Sequence, residues 1–242
     1  MNNTVFGATG GVGSQVVDQL RSRGHTVTAY VRNPAKVSIT WDENVTVVVG
    51  HLNDAEQIDR AVQGADAVIS ALGPSLDRKA TGLPLIEGTR NIVEAMQRHG
   101  VRRYIGNGTP SVLDPREKPT WQTRLSTFMA KTFLRRAYDE LLGMSEIVMA
   151  SELDWTIVRF LAPKDGPGAG RLRQGFYGHD RLGFNITRAD IAAFTAGQID
   201  DDRYIAAAPS HQQLTADTTL VSSRAASAVK PDWVTTSAPV RD

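Results

Sequence analysis

A glycine-rich segment near the start of the chain constrains its fold more strongly than any other feature. The short apolar stretch at residues 3–7 is typical of a buried strand, and the valines and leucine after residue 12 have helical spacing. Between them the sequence reads Gly7-Ala8-Thr9-Gly10-Gly11-Val12-Gly13. Strand, glycine turn and helix in this order form a phosphate-binding unit, in which the free N–H groups of the helix N-terminus bind the anion.

The glycines of this turn have the spacing GxxGxxG, and each has a physical task. Gly7 permits the tight turn, Gly10 lets the backbone approach a pyrophosphate, and Gly13 lets the helix pack closely on the strand. We therefore predict a dinucleotide cofactor here, the alternative being a turn that binds nothing. The residues expected to contact the cofactor are Gly7, Thr9, Gly10, Gly11, Val12 and Gly13.

The end of the second predicted strand indicates which dinucleotide binds. A site that prefers NAD usually has an acidic residue there for the ribose 2′-hydroxyl. This chain has Arg32 instead, with Lys36 close behind. Because a guanidinium can bind a 2′-phosphate bidentately, Arg32 predicts NADP(H) rather than NAD(H). The alternative is an ordinary exposed arginine at a strand end.

Short apolar segments alternate with amphipathic ones along the rest of the chain. This pattern predicts an α/β fold with a doubly wound parallel sheet, the Rossmann fold. Asp54 and Thr187 are predicted helix N-caps, and Gly143 is a predicted kink in a long helical stretch. Further strands are expected at residues 25–32, 45–50, 67–72, 102–106, 155–160 and 204–208, with a β-like region at 171–184. Helices are expected at residues 11–23, 54–63, 84–99, 121–151 and 188–198.

The length and composition limit the class of protein. With 242 residues and 41% hydrophobic content, the chain suffices for one core and not for two ordinary domains. We expect residues 1–212 to form one NAD(P)-binding domain with its substrate-side loops. Residues 213–242 would form a C-terminal extension, helical at most around residues 215–228.

Several classes of function are disfavoured. The net charge of +1 offers no field for steering nucleic acid, and no segment approaches the roughly 18 to 20 apolar residues of a membrane helix. The absence of cysteine excludes thiolate chemistry, and the five histidines show no metal-ligand spacing. With no signal-peptide pattern, we expect a cytoplasmic protein that binds a small-molecule substrate and not nucleic acid, a membrane or a metal.

With these motifs in order, the chain resembles the atypical short-chain dehydrogenases with an NAD(P)-binding domain. Within them it is similar to the NmrA-like proteins and to the flavin reductase and biliverdin-IXβ reductase group. The resemblance covers roughly residues 3–213. Besides the glycine turn, its carriers are Arg32-Asn33-Pro34 and the segments at residues 50–54, 66–73, 153–159, 165–170, 187–191 and 209–212.

The resemblance implies cofactor contacts at the ends of four more strands, where open α/β sheets bind their ligands. The adenine would be flanked by His51 and Leu52. The nicotinamide would lie between Asn107, after the fifth strand, and Phe160, after the sixth. The ribose and pyrophosphate would be lined by the residues after the fourth strand, Ala71, Leu72 and Gly73.

The chain departs from its relatives at the proton donor. Ordinary short-chain dehydrogenases use a Tyr-x-x-x-Lys pair, but the candidate Tyr138 is followed by leucine at position 142. The biliverdin-like reductases carry a serine after the fifth strand and a histidine after the sixth. Here Thr109 or Ser111 could supply the hydroxyl, and the segment after the sixth strand has no histidine. Thr109 and Ser111 are therefore the candidate catalytic residues.

The resemblance implies an NADPH-dependent reductase that transfers hydride to a flat conjugated acceptor, such as a flavin, quinone or enone. The missing proton donor leaves two alternatives open. One is a non-enzymatic NADP(H) sensor that binds a partner protein, and the other is a non-redox isomerase or cyclase on the same fold. An apolar stripe at residues 121–149 predicts core packing, with a pocket wall or a homodimer face as alternatives.

Overall fold

One sheet organises the fold, and it is built from strands spread along the whole described chain. The computed structural model describes residues 1–77, 79–118, 120–180 and 182–213. Its strands are β1 (Asn2–Phe6), β2 (Thr26–Val31), β3 (Val45–Val49), β4 (Ala67–Ser70), β5 (Arg103–Gly108), β6 (Asp154–Arg159), β7 (Leu172–Gly175) and β8 (Ser210–Gln213). Its α-helices are α1 (Gly13–Ser22), α2 (Ala55–Val62), α3 (Pro84–His99), α4 (Trp121–Phe133), α5 (Arg135–Met149) and α6 (Arg188–Gly197). Short 3-10 helices lie at Pro34–Lys36 and Asp202–Tyr204.

The strand order is β3-β2-β1-β4-β5-β6-β8-β7. Neighbouring strands are parallel except β7 and β8, which are antiparallel. The order of the first six strands is that of the doubly wound Rossmann fold, which confirms the predicted fold class. The direction of winding reverses between β1 and β4, so a crevice is expected beyond the carboxyl ends of these two strands.

Helices cover both faces of the sheet, and each face has its own apolar core. Side chains of α2, α3 and α5, such as Ile58, Ile92 and Val148, pack on one face. Side chains of α1 and α6, such as Leu20 and Phe194, pack on the other. Both faces of the central strands are therefore buried, which accounts for their near-continuous apolar sequences.

Local sequence signals set several element boundaries as predicted. Asp54 caps α2 by accepting a hydrogen bond of 3.1 Å from the N–H of Gln57. Thr187 caps α6 through the N–H of Asp190 at 3.2 Å. Helix α3 ends at Gly100, whose φ of 67° is the left-handed conformation that suits glycine.

Two predictions of local structure were wrong. The long helical stretch breaks at Leu134, where φ is −128°, and not at Gly143. Gly143 lies inside α5, where it lets α3 pack closely. A Cβ at this position would lie 2.5 Å from Ile86 Cδ1 on α3. The strand expected at residues 204–208 is replaced by a 3-10 helix and by β8 further on. Ala206 has a φ of 51°, which is incompatible with extended backbone.

The predicted C-terminal extension is described only at Gln213, which pairs with Leu172 as the last residue of β8. The remaining residues of the extension, including the helix predicted at 215–228, lie outside the described residues. Over the described ranges, no helix combines the length and apolar character needed to cross a bilayer.

A buried ion pair between Arg159 and Glu117 joins the end of β6 to neighbouring loops. The Arg159 and Glu117 side chains are 0% and 5% exposed. The guanidinium donates to the Val112 carbonyl at 2.7 Å and to Glu117 Oε2 at 2.8 Å. Glu117 Oε1 also accepts from the N–H of Tyr177 at 2.7 Å. The pair therefore connects the end of β6 with the loops after β5 and β7.

We expect Glu117→Ala to lower the free energy of unfolding by about 3–5 kcal/mol, because it leaves the Arg159 charge buried without a partner. Denaturant unfolding measures this difference. The control is Arg102→Ala, which removes a pair with Asp154 in which Arg102 is 64% exposed. That change should cost less than about 1 kcal/mol. Equal losses in the two variants would contradict the role given to the buried pair.

Candidate functional site

The glycine turn is held by direct contact between backbone segments. A Cβ on Gly13 would lie 2.1 Å from the Gly7 carbonyl oxygen, so only glycine lets α1 begin this close to β1. Gly7 has a φ of 73°, and a Cβ there would lie 2.9 Å from the Ala71 carbonyl oxygen beyond β4. Gly10 closes the turn by donating to the Gly7 carbonyl at 2.9 Å. The turn thus lies in the crevice between β1 and β4.

The start of α1 suits a phosphate group. Its N-cap residue Val12 makes no side-chain capping hydrogen bond. The Ser14 N–H already donates to the Gly10 carbonyl at 2.9 Å, so an anion would meet the other N–H groups of the first helical turn. Gly10 and Gly11 are exposed beside it. The residues of this turn therefore fit the pyrophosphate of a dinucleotide, both in shape and in the sign of the local charge.

Arg32, His51 and Leu52 lie at the same edge of the sheet, next to the turn. Arg32 follows the last residue of β2 and is exposed. His51 and Leu52 follow β3, and the Tyr30 hydroxyl donates to the His51 carbonyl at 2.9 Å. Burial, with the nearby Asp54 carboxylate, raises the pKa of Tyr30 to about 12, which keeps this donor protonated. Asn91 Nδ2 holds the Leu52 carbonyl at 2.9 Å.

A cavity of about 620 Å³ opens on the other side of the turn. It lies over the ends of β4, β5 and β6 and is walled by α4 and α5. The predicted site residues that line it are Gly11, Val12, Ala71, Leu72, Gly73, Asn107, Thr109, Ser111 and Phe160. The predicted residues outside its lining are Gly7, Thr9, Gly10, Gly13, Arg32, His51 and Leu52.

A family model described as NAD(P)H-binding matches residues 7–202 of the chain. The protein belongs to this NAD(P)H-binding family. The match spans the turn, the cavity and every helix from α1 to α6. It confirms the predicted class of cofactor, a nicotinamide dinucleotide.

Two named relatives match different shares of this chain. A 3-diazoavenalumate denitrifying reductase from Streptomyces sp is 31% identical over 193 residues, which is 72% of this chain and 60% of the relative. Photosystem II assembly factor Ycf39 of Synechocystis sp. is 32% identical over 109 residues, 43% of this chain and 32% of the relative. The matches thus span from a third to three fifths of these relatives.

Solved structures share the fold over nearly the whole described chain. The oxidoreductase ylbE from Lactococcus lactis has a TM-score of 0.71 at 20% identity, covering 89% of this chain and 92% of that one. ChuY, described as an anaerobillin reductase from Escherichia coli O157:H7, has a TM-score of 0.70 at 19% identity, covering 88% and 97%. At these identities the likeness shows the fold alone.

The polar groups of the cavity are few and most are hydroxyls. Asn107 lies in the second-last position of β5, because this strand runs two residues further than predicted. The side-chain hydroxyls are those of Thr109, Ser111, Ser126 and Tyr138. No lysine lines the cavity among the described residues, and Leu142 packs in the core behind Tyr138. The cavity thus offers hydrogen-bond donors without the Tyr–Lys pair of ordinary short-chain dehydrogenases.

The apolar residues of the stripe at 121–149 lie in three environments: the protein interior, the cavity wall and the exposed surface. The prediction of core packing was therefore wrong for α4. Met144 and Val148 of α5 are buried in the protein interior. Tyr138 and Leu141 line the cavity instead. The large residues of α4 and its end are exposed, namely Trp121, Leu125, Phe128, Met129, Phe133 and Leu134. Helix α4 stands clear of the sheet, with only its inner side, at Ser126 and Ala130, facing the cavity.

A buried carboxylate fixes the cavity wall on α5. Glu140 is 1% exposed and accepts from the N–H of Leu85 at 2.9 Å and from Arg136 at 3.1 Å. Arg136 also donates to the carbonyl of Ser75, in the loop after β4. This loop is thereby held against α5, which closes one side of the cavity.

A second buried carboxylate holds the loop after β5. Burial alone would raise the pKa of Asp114, but hydrogen bonds from Arg116 and from the N–H of Ala208 outweigh it and hold the pKa below its usual range. The bonds from Arg116 Nε and the Ala208 N–H are both 2.8 Å long. Asp114 therefore stays ionised at neutral pH and ties the Thr109–Ser111 region to the approach of β8.

The structure brings one residue to the site that sequence reasoning missed. Arg188, the first residue of α6, lines the cavity and lies against Gly11 of the glycine turn. The sequence showed it only as the residue after the Thr187 cap. Its contact with Gly11 spans most of the chain length, so no local pattern could have revealed it.

Proposed function

We propose that this protein is an NADPH-dependent reductase that transfers hydride to a flat conjugated acceptor, such as a flavin, quinone or enone. The observation that carries the proposal is the cavity of about 620 Å³ that begins at the glycine turn. Its walls are mainly leucine, alanine, proline and glycine, which suit a planar apolar molecule better than a charged one.

The proposed placement of the dinucleotide follows the edge of the sheet. Its pyrophosphate would lie on the turn at residues 7–13, and its 2′-phosphate beside Arg32. His51 and Leu52 would flank the adenine. The residues after β4, Ala71, Leu72 and Gly73, would line the ribose next to the turn. Asn107 and Phe160 would face the nicotinamide in the cavity, since both lie in its wall.

When bound, NADPH supplies the hydride from C4 of its nicotinamide ring. The residues of the chain orient the acceptor and keep water away from it. Leu72, Leu141 and Phe160 supply apolar surface for its flat faces. Thr109 and Ser111 would donate hydrogen bonds to its polar edge, and Tyr138 adds a further hydroxyl from α5. A conjugated acceptor can take its proton from solvent, so this site needs no lysine-activated tyrosine.

The first test of the function is oxidation of NADPH by the purified protein with a panel of flavins, quinones and enones. We expect one class to be reduced well above background, and Ala130→Phe, which fills the cavity from α4, to abolish this turnover while NADPH still binds. The control is Asp139→Phe, at an exposed position on α5 outside the cavity. Tight NADPH binding without oxidation of any acceptor would contradict a reductase and favour the sensor or the non-redox enzyme.

The choice of NADPH over NADH is tested at Arg32. We expect Arg32→Asp to weaken NADPH binding by about 10- to 100-fold, because it removes a charge-assisted contact with the 2′-phosphate and adds a repulsive charge. NADH should then bind better than NADPH in a fluorescence titration. Arg60→Asp, on the exposed surface of α2, is the matched control. An unchanged ratio of the two affinities would contradict the assignment of Arg32.

We also propose a homodimer formed through the outer face of α4. Trp121, Phe128 and Phe133 are 72%, 63% and 69% exposed there, an amount of apolar surface that single-chain proteins seldom leave in water. A two-fold interface brings the same patch together from both copies. We expect wild type to sediment as a dimer and Phe128→Glu as a folded monomer. A monomeric wild type would contradict this assembly.

A further inference from the structure

The side chain of Arg188 lies across the glycine turn. Its Cδ and Nε atoms are each 3.1 Å from the position that a Cβ on Gly11 would occupy. The side chain is 30% exposed and forms part of the cavity wall. A positive charge is therefore held against the segment that suits a pyrophosphate.

The backbone of Arg188 is fixed on several sides. Its N–H donates to the Lys164 carbonyl at 3.0 Å, and the Lys164 N–H donates to Ile186 at 3.0 Å. The next turn is anchored by Asp190, which is 2% exposed. Asp190 accepts from the N–H of Ala169 at 2.9 Å and from Gln213 at 3.0 Å. The position of Arg188 over the turn is therefore set by the fold.

The charge partner of Arg188 can be exchanged. The guanidinium donates to Asp165 Oδ1 at 2.5 Å, but the Asp165 side chain is 90% exposed. An ion pair with one partner in water contributes little to stability. A diphosphate at the turn would offer the same guanidinium a doubly charged partner with matching bidentate geometry.

We propose that Arg188 is a ligand of the cofactor's pyrophosphate and that Asp165 competes with the pyrophosphate for it. Cofactor binding then frees the Asp165 carboxylate, while the backbone bonds of Lys164 and Ala169 keep the loop at residues 163–170 in place. The inference rests on the proposed placement of the dinucleotide and not on the proposed reaction.

The test compares two ligands by calorimetric or fluorescence titration. NADPH contains the pyrophosphate, whereas adenosine 2′-monophosphate keeps the 2′-phosphate and lacks the pyrophosphate. We expect Arg188→Ala to weaken NADPH binding by about 10- to 100-fold and to leave binding of the monophosphate unchanged. Arg188→Lys should recover part of the loss. The control is Arg203→Ala, which also removes an arginine paired with an aspartate, at a 3-10 helix outside the cavity lining.

Asp165→Asn tests the competition. It should tighten NADPH binding by about two- to five-fold in the wild-type background and have no effect when combined with Arg188→Ala. Unchanged NADPH affinity in Arg188→Ala, or an equal loss for the monophosphate, would overturn the inference. Because the readout is binding, these results stand whether or not any acceptor is reduced. If the protein reduces an acceptor but Arg188→Ala leaves NADPH affinity unchanged, this inference is disproved and the proposed reaction is not.

Discussion

The contact of backbone on backbone at the glycine turn is the constraint on which the rest of the site depends. Helix α1 can begin directly over the Gly7 carbonyl only because residue 13 has no Cβ, and β1 can approach the end of β4 only because residue 7 has none. These two contacts fix the turn in the crevice where the winding of the sheet reverses. The other residues predicted to contact the cofactor lie at the carboxyl ends of neighbouring strands, and Arg188 reaches the turn from the start of α6. Helices α4 and α5 wall the cavity.

The site divides into two halves of different character on either side of this turn. The half beyond β2 and β3 is open to water, with Arg32 and His51 exposed, and suits the phosphorylated nucleoside end of a cofactor. The half beyond β4, β5 and β6 is a walled cavity with few polar groups. Buried charges hold those walls in place, since Glu140, Asp114 and the Arg159–Glu117 pair each fasten one loop. These ionic groups lie outside the cavity lining, where the side chains are apolar or carry hydroxyls apart from Asn107 and Arg188.

Local signals in the sequence sufficed for most of the elements and for the glycine turn. The caps at Asp54 and Thr187, the stop at Gly100 and the turn at residues 7–13 depend on near neighbours in the chain, and the structure has them where the sequence predicts. Features set by distant contacts were missed. The helical stretch breaks at Leu134, where α4 leaves the sheet. Gly143 is in close contact with Ile86 of α3, and Arg188 contacts Gly11, which is far away in the sequence. Apolar spacing alone could not tell the exposed face of α4 from a buried one, because both have the same period.

The central claim is that a dinucleotide crosses the glycine turn with its nicotinamide in the cavity. The most direct measurement is a crystal structure of the protein with NADP+ bound. The account predicts the 2′-phosphate beside Arg32, the pyrophosphate between the start of α1 and Arg188, and the nicotinamide ring in contact with the cavity wall at Asn107 and Phe160. A dinucleotide bound with its nicotinamide outside the cavity, or with its 2′-phosphate away from Arg32, would contradict it.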